Sequence, residues 1–497
     1  MGLDSATWDL VDPWIKEGKL PFLKSFKEAG SCAKLRSTKP FLTPPAWASI
    51  FTGVNPGKHG IFDFFEMEGY KKYPTLSSDR RTKAVWQTVS RRGKRVFVIG
   101  VPNTFPPDEV NGVVVSGIGS PGPDSEFVYP PNAKEGVLKI LGGEDLFIKG
   151  IPQLFVRDKE EFLKRVHGLM EKQKDLCLSF LTGDDWDLLI TVFMGLDWIG
   201  HFFWKDMDKS HPGYDPEKSK RYEDVLEKIY IKMDNILAEI YKAVQDQAVL
   251  MVLSDHGMGP VHKNIHINTL LRKEGYLEAD LPSVVAPSSL EMRLRELALE
   301  IIRGADRFGL RHRISFKRRT VLRKTVGLEG KEFLDYVVWE KTKAFSISSS
   351  GQGIKINLKG RFPRGVVEEK DYEGVVKEIR AIIEDLRDPE TGERVVVKTY
   401  LARDVYHGPY LLKGPDILVE TKGEYILNAE MSDEVFSTSG HAGIRRSGEH
   451  REFGIFLVDG KPKGNIGTVE TTDITPTILK NLGIQPSGDL DGKPLEI

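Results

Sequence analysis

What most constrains this chain is its alternation of short apolar, β-branched runs with helical periodicity. Residues 95–101 (RVFVIGV), 112–117 (GVVVSG), 187–195 (DLLITVFMG), 248–257 (AVLMVLSDHG) and 452–460 (EFGIFLVDG) each read as a buried strand. Before the fourth of these lies the stretch 221–244. There Val225, Ile229, Met233, Ile236, Leu237 and Ile240 recur at the spacing of one helix face. Strands apolar on both sides must be covered above and below. The pattern therefore predicts an α/β fold, a mostly parallel sheet flanked by helices. In such sheets the chemistry gathers at the carboxyl ends of the strands.

Length and composition narrow the reading. At 497 residues the chain has room for about three domains, or for one large α/β domain with an insertion. Lys and Arg (71) balance Asp and Glu (72), so there is no strong nucleic-acid signal. With two cysteines, Cys32 and Cys177, a disulfide framework and a thiolate zinc site are both excluded. The longest apolar run is about nine residues, half of the roughly 18 that a transmembrane helix needs. The opening MGLDSATW has neither a basic n-region nor an apolar h-region, which predicts a cytoplasmic protein. One stretch breaks the α/β rhythm. Residues 293–324 carry eleven Lys/Arg against three Asp/Glu, at helical spacing, after a Pro-rich turn at 281–289. This predicts an inserted helical segment over 277–339, either a solvated helix pair or a basic cap that steers an anionic substrate.

Four places carry groups that a hydrolase needs. Asp4, in GLDSATWD, reads as a metal ligand at a strand end or as a helix cap. Thr43 precedes Pro44 and Pro45, so it reads as the N-cap of a short helix ending at Gly53. A hydroxyl there sits where a helix start would hold a phosphate. Because both prolines lack N–H, the donors must be Thr43 itself and residues from Ala46 on. Asp197 and His201 are four apart after a strand, so one helical turn puts them on one face, able to share an ion. Asp255 and His256 follow an apolar strand directly. A turn at Gly257 lets both reach one ion, where a regular strand would point them apart. Late in the chain His450 precedes the last predicted strand, with His441 as a competitor. His262 and His266 read as supporting or surface residues. Carboxylates and imidazoles without thiolates suit a two-metal hydrolytic site with zinc or manganese.

The order and wording of these motifs resemble the type I phosphodiesterase/nucleotide pyrophosphatase family of the alkaline phosphatase superfamily. The resemblance runs through GLDSATWD, LTPPAWASIFTGVNPGKHGIFDF, VPNTFPPDEVNGVVVSG, LDWIGH, SDHGMG, SGEHREFGIF and TTDITPTILKNLGI, nearly the whole chain. It implies a three-layer alkaline-phosphatase-like core over 1–276 and 340–497, with 277–339 as an inserted helical cap. It implies Thr43 as the nucleophile. Asp4, Thr43, Asp255 and His256 would hold one divalent ion, and Asp197, His201 and His450 a second, about 4 Å away. Zinc is the first expectation and manganese the second. The expected reaction is hydrolysis of a phosphodiester or nucleotide-like phosphoanhydride, a small-molecule phosphate ester, through a phospho-threonine intermediate. The alternatives are a phosphomonoesterase or phosphomutase of the same superfamily, and a degenerate protein that binds phosphate-bearing ligands without turnover. A sulfatase is disfavoured, since Thr43-Pro44-Pro45-Ala46-Trp47 stands where a C/S-x-P-x-R context is required.

Two departures from the family pattern stand out. Phe64 occupies the place of the Asn expected 21 residues after Thr43, and reads as an apolar wall for a substrate group or as a core residue. Only Met1, Gly2 and Leu3 precede Asp4. That is about 10 Å of strand where about 17–20 Å is usual, so the expectation is that further residues precede Met1.

Overall fold

The computed structural model describes residues 1–148, 150–183, 185–245, 247–280, 333–348, 352–438, 446–460 and 462–497. Among the described residues a nine-stranded sheet forms the centre. Its strands are β1 (Gly2–Leu3), β2 (Ser31–Arg36), β3 (Val96–Ile99), β4 (Gly112–Val115), β5 (Val128–Tyr129), β6 (Leu188–Phe193) and β7 (Met251–Leu253). Three strands of the C-terminal part follow: β8 (Gly257–Pro260), β9 (Gly448–Arg451) and β10 (Phe453–Val458). The last is β11 (Gly464–Glu470). The sheet order is β11-β2-β10-β7-β1-β6-β3-β4-β5, while β8 and β9 form a separate antiparallel pair.

The predicted strands are all present but shorter than the predicted runs, because most of the residues trimmed from their ends are Gly, Ser or charged and leave the ladder for turns. Five of the sheet's pairings are parallel; β10 and β5 run antiparallel to their neighbours. The core strands are buried outright: Val96, Phe97, Val98 and Ile99 of β3 and Ile455, Phe456, Leu457 and Val458 of β10 have no accessible surface. This agrees with runs that are apolar on both faces.

Helices flank the sheet, among them α1 (Thr43–Thr52), α2 (Lys159–Gly183), α3 (Gly195–Met207) and α4 (Val225–Val244). In α4 the stripe read from the sequence, Val225, Ile229, Met233, Ile236, Leu237 and Ile240, is buried, joined by Leu226, Tyr230, Asp234 and Val244. No described helix is long and apolar enough to cross a membrane.

A second apolar cluster lies apart from the first. It runs from Ile265 to Leu427 and surrounds a four-stranded sheet of Ala344–Phe345, Gly353–Ile356, Val396–Leu401 and Ile417–Thr421. The two ends of the predicted 277–339 insertion meet there through an Ala279–Val337 bridge. Residues 281–332, the body of the expected helical cap with its basic stretch, lie outside the described residues, as does His441.

Candidate active site

Three neighbouring parallel strands, β7, β1 and β6, end beside one another, and each hands a carboxylate to the same point. Asp4 follows β1, Asp197 lies in the first turn of α3 after β6, and Asp255 follows β7. All three are buried. His201 sits one turn along α3, its Nε2 3.2 Å from Asp197 Oδ1. His256 adjoins Asp255, with Nε2 3.1 Å from Asp255 Oδ2.

His450 arrives differently. It was expected just ahead of a strand, yet it lies within one, β9, which pairs antiparallel with β8 and sets His450 opposite Met258. Its ring stacks on His256 with centroids 3.7 Å apart, and its Nε2 lies 3.2 Å from both Asp197 Oδ1 and His201 Nε2. The approach needs Gly448, because a side chain there would run into the Gly200 carbonyl of α3.

Thr43 was expected as an N-cap. In the structure Leu42 is the cap residue and Thr43 the first residue of α1. Its hydroxyl is therefore not spent on the helix and lies 3.3 Å from His256 Nε2. Ala46 N–H is taken by the Leu42 carbonyl, 3.1 Å away. With Pro44 and Pro45 lacking N–H, Thr43 carries the one backbone donor of the first turn that no carbonyl takes up among the described residues. The capping alternative for Asp4 also falls away: Thr7 caps the following helix by accepting from Asp9 N–H.

The side chains converge into two groups that could each hold a cation, Asp197–His201–His450 and Asp4–Asp197–His256. The first matches the set that the family resemblance implied. The second brings in Asp197 as a shared member, while Asp255 joins through its contact with His256. Among the described residues neither His262 nor His266 belongs to such a group. His262 packs against His211, and His266 pairs with Ser437 and the Glu430 carbonyl.

The hydrogen bonds decide which ring nitrogens face the centre. Backbone carbonyls only accept, so Nδ1 carries the proton where it meets one. His201 donates to Gly448 O at 2.8 Å, His450 to Phe41 O at 2.8 Å, and His256 to Gly257 O at 3.2 Å. All three imidazoles thus turn Nε2 toward three carboxylates, and in the neutral ring that nitrogen offers a lone pair to a cation. Asp255 Oδ2 is buried with no hydrogen-bond partner among the described residues. Lone pairs of this kind facing one another are satisfied by a cation, and oxygen and imidazole donors suit zinc or manganese.

In the ion-free fold a proton supplies part of the positive charge that the carboxylates call for: burial would lower the His450 imidazole, but Glu449 and then Asp197 raise it above its ordinary value. Burial, then the charge of Asp197, pushes the Asp4 carboxyl well above its ordinary value. Burial, then Asp4 and Asp197, does the same to Asp255. Burial would raise Asp197 too, but the His201 and His450 imidazoles outweigh it and hold it well below. Burial followed by the neighbouring His450 keeps the His256 imidazole neutral.

This arrangement predicts the behaviour of Asp255→Asn. A carboxyl raised in the fold weakens the fold as pH climbs from its ordinary value, near 3.8, toward the raised one. The metal-free variant is therefore expected to melt higher than wild type at pH 7.5, with a gap that shrinks toward pH 4. The gain is on the order of 1 °C for each kcal/mol relieved. Thermal unfolding in chelator at several pH values measures it, and a lower melting temperature at pH 7.5 contradicts it.

Sequence reading missed three residues at this site. Trp47, one turn after Thr43 on α1, donates from Nε1 to Asp4 Oδ2 at 2.7 Å; the T-x-x-x-W spacing was its only signal. Glu449 is buried beside both His201 and His450. Burial would raise its carboxyl, but the two imidazoles and Arg446 draw it down to about 2. The third, Ser5, adjoins Asp4 and donates from Oγ to Asp197 Oδ1. Phe64 is half-buried and belongs to none of the described apolar clusters, so it does not serve as a core residue.

With this geometry in place, comparison decides the family. The type I phosphodiesterase / nucleotide pyrophosphatase family matches residues 1–445. The chain belongs to that family. The family is one of type I phosphodiesterases and nucleotide pyrophosphatases, phosphoric ester hydrolases, as the ordered motifs implied. Human ectonucleotide pyrophosphatase / phosphodiesterase 5 shares the fold with a TM-score of 0.53 at 13% identity, over 99% of this chain and 96% of that one. Phosphonoacetate hydrolase from Sinorhizobium meliloti, solved with phosphonoformate, gives 0.52 at 16% identity over 97% and 94%. GPI ethanolamine phosphate transferase 2 of Kluyveromyces lactis is 33% identical over 113 residues. That match spans 22% of this chain and 11% of the transferase.

Proposed function

We propose that this family member is a metal-dependent hydrolase that cleaves a phosphodiester or nucleotide-like phosphoanhydride through a phospho-Thr43 intermediate. The observation that carries the reading is the position of Thr43. Its hydroxyl is free of capping duty, lies 3.3 Å from His256 Nε2, and stands beside two cation-ready groups that share Asp197.

Two divalent ions, zinc or manganese, would be held by Asp197, His201 and His450 and by Asp4, Asp255, His256 and Thr43, with Asp197 within reach of both groups. There they would supply the Lewis acidity that lowers a hydroxyl pKa and neutralises phosphoryl charge. The residues do the rest. Thr43 Oγ1 gives its proton to solvent and attacks phosphorus in line with the leaving oxygen, which departs as the Oγ1–P bond forms and takes up a proton from water. The Thr43 N–H, at the positive end of α1, donates to a non-bridging phosphoryl oxygen. Water entering from the vacated side then breaks the Oγ1–P bond and restores the hydroxyl. Phe64, in place of a side-chain donor, leaves that oxygen to the backbone and offers an apolar wall to the substrate.

The test is a comparison of bis(4-nitrophenyl) phosphate with 4-nitrophenyl phosphate, with zinc or manganese supplied. The diester is expected to turn over faster. A faster monoester favours the monoesterase or mutase reading, and no turnover of either, together with fewer than two ions per chain, favours a binding protein. The similarity to ethanolamine phosphate transferases favours a second reading, in which an alcohol rather than water accepts the phosphoryl group. Product analysis in the presence of added ethanol or glycerol separates the two.

A further inference from the structure

Ser5 stands where the two cation groups meet, and its conformation is costly. It is one of two described non-glycine residues with positive φ, at 66°, a region that disfavours any side chain bearing a Cβ. It is also almost fully buried. The strained turn swings its hydroxyl into the carboxylate cluster. Oγ donates to Asp197 Oδ1 at 2.7 Å, and its oxygen lies 3.3 Å from His256 Nδ1. Because that nitrogen carries a proton, facing the Gly257 carbonyl as well, it donates to Ser5 Oγ. Asp4 Oδ1 lies 3.5 Å from the same hydroxyl, and Ser5 N–H points to Asp255 Oδ1 at 3.4 Å.

One side chain therefore touches the shared ligand Asp197 on one side and the far nitrogen of His256 on the other. Glycine would adopt this φ without strain. A glycine, though, would leave Asp197 Oδ1 without this donor and His256 Nδ1 with the Gly257 carbonyl alone. We propose that the Ser5 hydroxyl is a positioning residue that couples the two cation groups. It holds Asp197 and His256 in one mutually dependent arrangement, so that occupancy of one group favours occupancy of the other. The inference rests on the metal-dependent reading above.

The physical basis is orientation and linkage. The second nitrogen of a ligating histidine sets its ring angle and basicity. When Asp197 is fixed, the Ser5 hydroxyl is fixed with it, and Ser5 in turn fixes His256. By reciprocity, fixing His256 favours the bound orientation of Asp197 to the same degree.

The test uses manganese chloride alone, added to the metal-free full chain as wild type, Ser5→Ala and Ser5→Gly. Calorimetry reads stoichiometry and affinity, and electron paramagnetic resonance at one ion per chain reads whether ions load in pairs. Wild type is expected to bind two ions cooperatively, giving spin-coupled pairs at half loading. Both variants are expected to lose affinity by roughly 10–100-fold and to give isolated ions at half loading. Ser5→Gly, relieved of the positive φ, is expected to melt no lower than wild type when metal-free. A merely structural role would instead lower the melting temperature of both variants together with their affinity. Wild-type affinity and pairing in both variants overturn the coupling role and leave the hydrolase reading standing. Two ions that load independently in wild type do the same. Failure of wild type to bind any ion overturns both.

Discussion

Thr43→Ala is expected to abolish turnover of a phosphodiester, by a factor on the order of 10⁴ to 10⁶, while leaving both ions bound. The hydroxyl is the group that attacks, and no neighbour can replace it: the next residues of α1 are Pro44, Pro45 and Ala46. The fold has little to lose. Thr43 is 2% exposed and its hydroxyl has one partner among the described residues, His256 Nε2. Truncation removes one hydroxyl and one methyl group, costing roughly 1 kcal/mol. Steady-state rates beside elemental analysis and a melting curve measure all three quantities. Full activity in this variant removes Thr43 as nucleophile. Lost activity with lost metal shows instead that Thr43 matters mainly as a ligand.

The second large effect is expected at Asp197. It is the one residue common to both cation groups among the described residues. Asp197→Ala should therefore lower metal content from two ions per chain to less than one, where His201→Ala should mainly affect one ion. Activity should fall by at least 10³, since charge neutralisation and nucleophile activation depend on the same carboxylate. The loss also strands the imidazoles that this carboxylate faces, His201 and His450, each 3.2 Å from Oδ1. Metal counting on both variants checks the contrast, and retention of one full ion by Asp197→Ala contradicts the shared role.

How much of this was legible beforehand follows from range. Asp197 and His201 are one helical turn apart on α3, and Asp255 and His256 are adjacent, so local spacing was enough to pair them. Trp47 and Ser5 were not legible as site residues. Trp47 is an apolar helix residue until β1 passes beneath it, and Gly2 lets it, because a side chain there would strike the indole. Ser5 acts through a backbone angle that a serine rarely adopts, and no spacing rule announces that. The capping expectation at Thr43 failed by a single residue, because helix starts are set by backbone angles that sequence places only to within a residue or two.

The sequence by itself determined the fold class and the order of the chemical groups. Apolar strands buried on both faces force helices onto a parallel sheet, and the absence of thiolates beyond Cys32 and Cys177 leaves oxygen and imidazole as ligands. Only the tertiary structure decided that Asp197 belongs to both groups and that His450 lies in a strand of its own. It also decided that all three Nε2 atoms face inward. These are relations between residues some 190 to 250 positions apart, set by which strands lie side by side and which carbonyls claim each Nδ1. A hydrophobic pattern fixes the faces of a strand, whereas the neighbours of that strand are chosen by the packing of the whole sheet.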